Sequence, residues 1–308
     1  MSNDFGGPRC LAGLERLRAS LQTLPDKPEE TPESALRALW CRAAGLYLSV
    51  QAAQLRQPPP LDAAGLERLD ALIARRLAGE PLAYLLERQR FMELELLARP
   101  SALIPRRETE MLGEAALDLL RQAAAAGGSP CCIDVCCGSG NLALAMARAV
   151  PAARVHGADL SAQALVLARE NAAQLGLEQR VHWHEGDLLA PFDGASWAGA
   201  VDVLISAPPY ISSARLDTMP REIIGFEPAM AFDGGAFGVG ILMRLLRQAP
   251  DLLRAGGWLC VEVGLGQGSA MTQLARRDAR YDEVRAVRDD QGHERVLLAR
   301  RAAGRQGG

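Results

Sequence analysis

The chain has 308 residues and a mass of 33.0 kDa, with 49% apolar and 23% charged residues and a net charge of −3. At about 100–200 residues per domain this suits two globular domains or one with a large addition, and it excludes disorder, collagen and a coiled coil as the main architecture. No apolar run reaches the about 18 residues of a membrane helix, no apolar signal segment follows Met1-Ser2-Asn3-Asp4, and seven cysteines is an odd number, so a cytoplasmic protein with free thiols is expected.

Residues 1–95 read as a helical domain. Leucines at 11, 14, 17, 21 and 24 predict a helix over 11–24 with one apolar face. Thr31-Pro32-Glu33-Ser34 is a helix start with proline in the first turn. That helix is expected to run to about residue 57, where Pro58-Pro59-Pro60 ends it. Leu66, Leu69, Ile73 and Leu77 place a third amphipathic helix over 62–77, closed by Gly79-Glu80-Pro81. Residues 96–129 are assigned to a linker with a hairpin and a helix.

From 130 to 308 strands and helices alternate. Strands are predicted at 131–135, 155–159, 181–184, 201–206 and 258–263, with helices at 141–150, 161–175, 238–253 and 268–276. Gly256-Gly257 is taken to end the helix before the fifth strand. Two closing strands, 284–288 and 295–299, have no helix between them. The pattern predicts an α/β fold: a doubly wound, Rossmann-like parallel sheet with an antiparallel edge, plus the small helical N-terminal domain.

Glycines in a strand–helix turn let a backbone approach a ligand closely, and Asp134-Val135-Cys136-Cys137-Gly138-Ser139-Gly140-Asn141 is such a turn. Asp159 ends the second strand, where doubly wound folds place a carboxylate on ribose hydroxyls. Asp187, in Glu185-Gly186-Asp187-Leu188, follows the third, so three acids line one rim of the sheet. This set resembles the class I S-adenosylmethionine-dependent methyltransferases. The resemblance implies that Asp134, Gly138 and Gly140 meet the methionine part, Asp159 the ribose and Asp187 the adenine. Ser139, Asn141, Leu160, Leu188, Ser206 and Pro208 complete the cofactor set. NAD fits less well, because Leu142-Ala143 stands where a third glycine belongs. No metal is expected. Cys131, Cys132, Cys136 and Cys137 are chain neighbours that point to opposite faces of a strand, and His182 and His184 have no third ligand in view.

The fourth strand ends Ser206-Ala207-Pro208-Pro209-Tyr210, which resembles the Asn-Pro-Pro-Tyr motif of amino-group methyltransferases. With Gly79-Glu80-Pro81-Leu82-Ala83-Tyr84-Leu85, Leu103-Ile104-Pro105-Arg106-Arg107-Glu108-Thr109-Glu110, Phe226-Glu227-Pro228 and Phe232-Asp233-Gly234-Gly235, the chain from about 30 to 300 resembles the HemK/PrmC family. That family methylates a glutamine side-chain amide of peptide-chain release factors. The chain departs from the family pattern. Ala207 replaces the motif asparagine and has neither donor nor acceptor. Phe226 replaces a histidine, Ala236-Phe237-Gly238 stands in place of an acid, and Arg107 replaces a proline.

The cofactor half is thus intact and the acceptor half altered. The reading drawn from these departures is a relative that cyclises S-adenosylmethionine itself to azetidine-2-carboxylate and methylthioadenosine, resembling the azetidine-2-carboxylate synthases. The partner is then a small molecule. Tyr210, Phe226 and Phe237 would seat the sulfonium by their ring quadrupoles, with Ser206 and Ser139 near the amine or carboxylate. For Phe226 and Phe237, plain volume filling stands beside that role. The alternatives are a glutamine-amide methyltransferase acting on a release factor, Ala207 being then a deliberate substitution, and an inactive cofactor-binding module. A DNA methyltransferase is disfavoured by Ala207 and by the acidic balance: all but one of the 34 basic residues are arginine, but no basic block stands out. The N-terminal helices would receive a protein, cover the cofactor, or form a homodimer face.

Overall fold

The computed structural model describes residues 5–21, 23, 27–218 and 221–303. The chain divides into two compact units, 1–107 with 219–227, and 108–218 with 228–308.

The first unit is helical: α1 (Pro8–Ser20), α2 (Pro32–Ala43), α3 (Val50–Gln54), α4 (Ala63–Leu77) and α5 (Leu82–Leu86). Thr31 caps α2 through its side-chain oxygen, which accepts from the Ser34 N–H at 3.2 Å, and Asp62 caps α4 in the same way at 2.6 Å to Gly65. Two expectations are corrected. The helix begun at Pro32 does not reach 57, because the chain turns at Gly45 (φ +85°) and restarts where Ser49 caps α3. In α1 the buried face is Cys10, Gly13 and Leu17, while Leu11 is exposed. Gly13 sits at a close helix crossing, since a Cβ there would lie 2.8 Å from Ile73 Cδ1. Leu24 lies outside the described residues. Trp40, Leu36, Leu39, Leu69, Ile73 and Leu86 form the core. The antiparallel hairpin β1 (Arg88–Phe91) and β2 (Leu94–Leu97) follows.

Residues 219–227, far along the chain, also belong to this unit and carry the one-turn helix α9 (Arg221–Ile224). Two acids anchor the segment, the half-buried Glu222 and the buried Glu227. Glu222 is bonded by Lys27 and Arg76, each at 2.8 Å, and Glu227 by Arg106 and by the Ile104 N–H at 2.9 Å. Phe226 packs with Ala83, Tyr84, Ala98 and Ile104.

The second unit is a seven-stranded sheet: β3 (Cys131–Val135), β4 (Arg154–Asp159), β5 (Val181–Glu185), β6 (Val201–Ser206), β7 (Leu253–Glu262), β8 (Tyr281–Arg288) and β9 (Glu294–Arg301). The order is β5-β4-β3-β6-β7-β9-β8; β9 runs antiparallel to β7 and to β8, and the other pairs are parallel. Helices α6 (Arg107–Ala125), α7 (Asn141–Ala149), α8 (Ala162–Leu175), α10 (Gly240–Leu252) and α11 (Gly268–Arg277) complete the unit. The expected doubly wound sheet with an antiparallel edge is what the chain forms. Gly256-Gly257, expected to end a helix, lies inside β7: the strand begins at Leu253, and a Cβ on Gly257 would meet the Val201 carbonyl at 2.7 Å. From β3 the strand order runs outward to β4 and β5 on one side and to β6 and β7 on the other, so the carboxyl ends of β3 and β6 flank the topological switch point, where ligands bind in such sheets.

Candidate active site

The β3–α7 turn is held in an unusual path. Cys136 (φ +58°), Gly138 (φ +51°) and Gly140 (φ +81°) all occupy the left-handed region, which is costly for the cysteine. The turn is tied down by Cys137 N–H to the Ala158 carbonyl (3.1 Å) and by Asn171 Nδ2 to the Ser139 carbonyl (3.0 Å). Beneath it the Trp183 ring needs two glycines: a Cβ on Gly140 or Gly157 would lie 2.6 or 2.5 Å from its ring carbons. A Cβ on Gly138, by contrast, would meet nothing within 4 Å, so this residue faces open space.

Asp134 is wholly buried. Its Oδ2 accepts from the Ala143 N–H at 3.0 Å, while Oδ1 has no hydrogen-bond partner among the described residues. Burial pushes its carboxyl up to about 8. The buried Ser139 Oγ is likewise without a partner among the described residues. At the next strand end Asp159 accepts from Gly138 N–H and Ser161 N–H, each at 2.8 Å, and burial raises its carboxyl despite these donors. The Leu160 N–H also donates to it, and a carboxylate has about four lone-pair sites, so acceptor capacity remains for a further donor. Leu160 beside it is 57% exposed. Two buried polar atoms awaiting partners, an acid with spare acceptor sites and an open glycine on one rim fit an amino-acid and ribose-bearing cofactor.

The remaining sequence-predicted residues are placed less uniformly. Asn141 opens α7. Asp187 is exposed and forms a two-pronged ion pair with Arg244 (2.7 and 3.2 Å), and Leu188 is buried at φ +52°. Ser206 donates its hydroxyl proton to the Val135 carbonyl at 2.9 Å, a tie between β6 and β3. Pro208 is buried. Tyr210 bonds Glu262, which also accepts from Thr109 Oγ1 at 2.7 Å, and burial raises both the phenol and the carboxyl. Phe226 is a packing residue of the first unit, whereas Phe237, in the second, is 84% exposed. Each of the three aromatic rings thus has its own local surroundings. His156, His182 and His184 cluster with Phe192 and Trp197, and burial lowers His156 to about 4. Among the described residues no group of three His, Cys, Asp or Glu is arranged to hold a metal, and no helix is long and apolar enough to cross a membrane.

Sequence reasoning missed Asn171, Trp183, Glu262 and Gln267. Trp183 was traceable, since an alternating strand with a large ring invites a small neighbour at Gly157. The others are single polar residues whose partners are fixed only by the fold.

The fold and rim define a class I methyltransferase. A family profile for a methyltransferase domain matches residues 132–224, and one for the PrmC N-terminal domain matches residues 15–86. Proteins named Release factor glutamine methyltransferase are similar over most of the chain. That of Moorella thermoacetica is 41% identical (74% of this chain, 78% of the relative), that of Geobacter sulfurreducens 36% (86% and 89%), and that of Vibrio cholerae 34% (92% and 94%). Among solved structures, the hMettl16 catalytic domain shares the fold with a TM-score of 0.54 at 14% identity, covering 74% of this chain and 81% of that one. The chain belongs to the HemK/PrmC family of S-adenosylmethionine-dependent methyltransferases. These relatives correct the expected cyclisation of S-adenosylmethionine and its small-molecule partner: proteins this similar, over both units, are named for transfer to glutamine.

Proposed function

We propose that the chain transfers a methyl group from S-adenosylmethionine to the side-chain amide nitrogen of a glutamine in a peptide-chain release factor, in the cytoplasm. One observation carries this reading: the similarity to release factor glutamine methyltransferases runs through both the helical N-terminal part and the catalytic part, up to 92% of the chain. In the same proposal residues 1–95 are the helical domain that receives the protein substrate, and 96–129 its linker to the catalytic domain at 130–308.

S-adenosylmethionine, when bound, supplies an electrophilic methyl group and a neutral thioether leaving group. Asp134 Oδ1 and Ser139 Oγ would hold the polar end of its methionine part, Asp159 its ribose hydroxyls, with Gly138 allowing close approach and Leu160 covering an apolar face. Asp187, Leu188 and Pro208 complete the pocket wall. An amide nitrogen is a weak nucleophile, because its lone pair is delocalised into the carbonyl, so it must be held in line with the methyl group. Ala207 supplies no side-chain amide for this. Pro208 and Pro209 lack N–H groups, so the segment 207–209 offers an incoming NH₂ mainly carbonyl acceptors, which suit its two donors. Orientation of the acceptor then rests on the main chain.

The test is to incubate the purified chain with S-adenosylmethionine, with and without a bacterial release factor, and follow products by mass spectrometry. Expected is S-adenosylhomocysteine only when the release factor is present, with one glutamine gaining one methyl group. Methylthioadenosine without any acceptor, or no transfer at all, would sink the reading.

A further inference from the structure

We infer that Gln267 is the positioning residue of the acceptor segment: its side-chain amide fixes the main-chain path of Pro209–Tyr210, along which the substrate amide is received. The inference rests on the proposed role of residues 206–210.

Gln267 lies in the turn between β7 and α11. Its Nε2 donates to the Tyr210 carbonyl at 3.0 Å and to the Gly238 carbonyl at 3.2 Å, and its Oε1 accepts from the Gly264 N–H at 2.9 Å. One side chain thus ties three separate stretches of main chain, using both amide protons and an oxygen lone pair. Glycine keeps two of these stretches thin where they meet the third. A Cβ on Gly238 (φ +68°) would lie 2.3 Å from the Tyr210 carbonyl and 2.9 Å from Gln267 Nε2. On Gly264 it would lie 2.9 Å from both Gln267 Oε1 and Tyr210 Cδ2, and on Gly234 2.8 Å from the Pro209 carbonyl.

The segment needs such a clasp. The last register pair of β6 with β7 is Ser206 with Val261, so the sheet no longer guides the chain at Pro208. Two successive prolines have no N–H with which to anchor themselves. Just beyond, Ile211 N–H donates to the Phe232 carbonyl (2.9 Å) and Gly234 N–H to the Ile211 carbonyl (2.8 Å), which closes the neck of the excursion from 212 to 231. Gln267 therefore grips the chain between the end of β6 and that neck. In a chain whose motif residue is Ala207, the direction of the main-chain carbonyls is what remains to aim the acceptor, and this grip sets it.

The test is Gln267→Glu in the full chain. A carboxylate cannot donate to the Tyr210 and Gly238 carbonyls; a protonated carboxyl can donate to one of them. Expected at pH 8 is a kcat for release-factor methylation lowered about 10²-fold, with the KM for S-adenosylmethionine within about twofold of the parent. Hydrogen exchange supplies a readout independent of any acceptor. Peptides covering 210–213 and 234–239 should exchange about tenfold faster in the variant at pH 8, while β3 and β4 stay protected. Gln267→Met, similar in length and without amide protons, should lose the same protection. Unchanged exchange in both variants, a rise in KM matching the fall in kcat, or failure of both variants to fold overturns the inference. Lost protection in variants of a parent that methylates no release factor sinks the proposed function and leaves Gln267 as the clasp.

Discussion

Asp134 offers a quantitative test of the cofactor site. Its carboxyl is wholly buried, receives one donor from the Ala143 N–H, and has its pKa pushed up to about 8 by burial. At pH 7 the free chain therefore carries a proton there. A cationic group of S-adenosylmethionine seated against Oδ1 needs the carboxylate, so binding must expel that proton. With a pKa about 8 in the free chain and about 5 or lower in the complex, and with the free cofactor's α-ammonium itself titrating at about 7.8, affinity rises about 20-fold from pH 6 to pH 8, and about 0.8 proton is released net per cofactor at pH 7. Titration calorimetry at pH 7 in two buffers of different ionisation enthalpy counts the proton, and dissociation constants at pH 6, 7 and 8 give the slope. Asp134→Asn keeps an acceptor for Ala143 and should flatten the slope while weakening binding. A parent chain whose affinity is level across this range, with no proton released, refutes Oδ1 as the seat of the positive charge.

Ala207→Asn adds the side-chain amide that the acceptor segment lacks, and methyl transfer to a release factor should quicken by about 10²-fold. A rate unchanged or lower in a quenched mass-spectrometric assay would show that a side-chain amide at 207 adds nothing to the orientation the main chain supplies. Gly157→Ala drives a Cβ to 2.5 Å from Trp183, and this overpacking should cost about 1–3 kcal/mol in urea unfolding. The added change Trp183→Leu should recover part of that cost, and a purely additive double variant counts against the contact. His156 is held neutral, its pKa lowered from 6.5 to about 4 by burial with His184 and His182 nearby. Its contribution to stability is present above pH 6.5 and is lost as pH falls toward 4, at most about 3 kcal/mol. His156→Leu should flatten stability over that window, and an unchanged pH profile would contradict the depressed pKa.

Strand ends were the legible part of the sequence because each combines a short apolar run with a polar residue at the rim. Ile133-Asp134-Val135, Gly157-Ala158-Asp159 and Ile205-Ser206 sit where alternation and burial require. The caps were legible for a local reason, since Thr31 and Ser161 bond amides three residues ahead. What escaped depends on distant partners. Nothing near Gln267 in the chain announces a carbonyl 57 residues away, and nothing near Ser206 announces that its hydroxyl serves Val135, 71 residues back. The break at Gly45 escaped because α2 and α3 share an apolar pattern, which periodicity read as one helix.

The expected cyclisation is overturned by the relatives, and the departures on which it rested have separate local surroundings. Four departures from the family pattern were counted as one signal of a lost acceptor, and the count has force only if the four residues share a task. They do not. Phe226 fills a cluster with Tyr84 and Ile104, so an aromatic ring there is explained by volume. Arg107 is an exposed residue opening α6. Phe237 is 84% exposed. Only Ala207 stands in the acceptor segment itself. Under the proposed function, one missing amide, beside prolines that present carbonyls and a main chain gripped by Gln267, would weaken orientation without removing it. A single side chain that slows a reaction is a smaller claim than a change of reaction. It is also the claim consistent with relatives 34–41% identical over most of the chain.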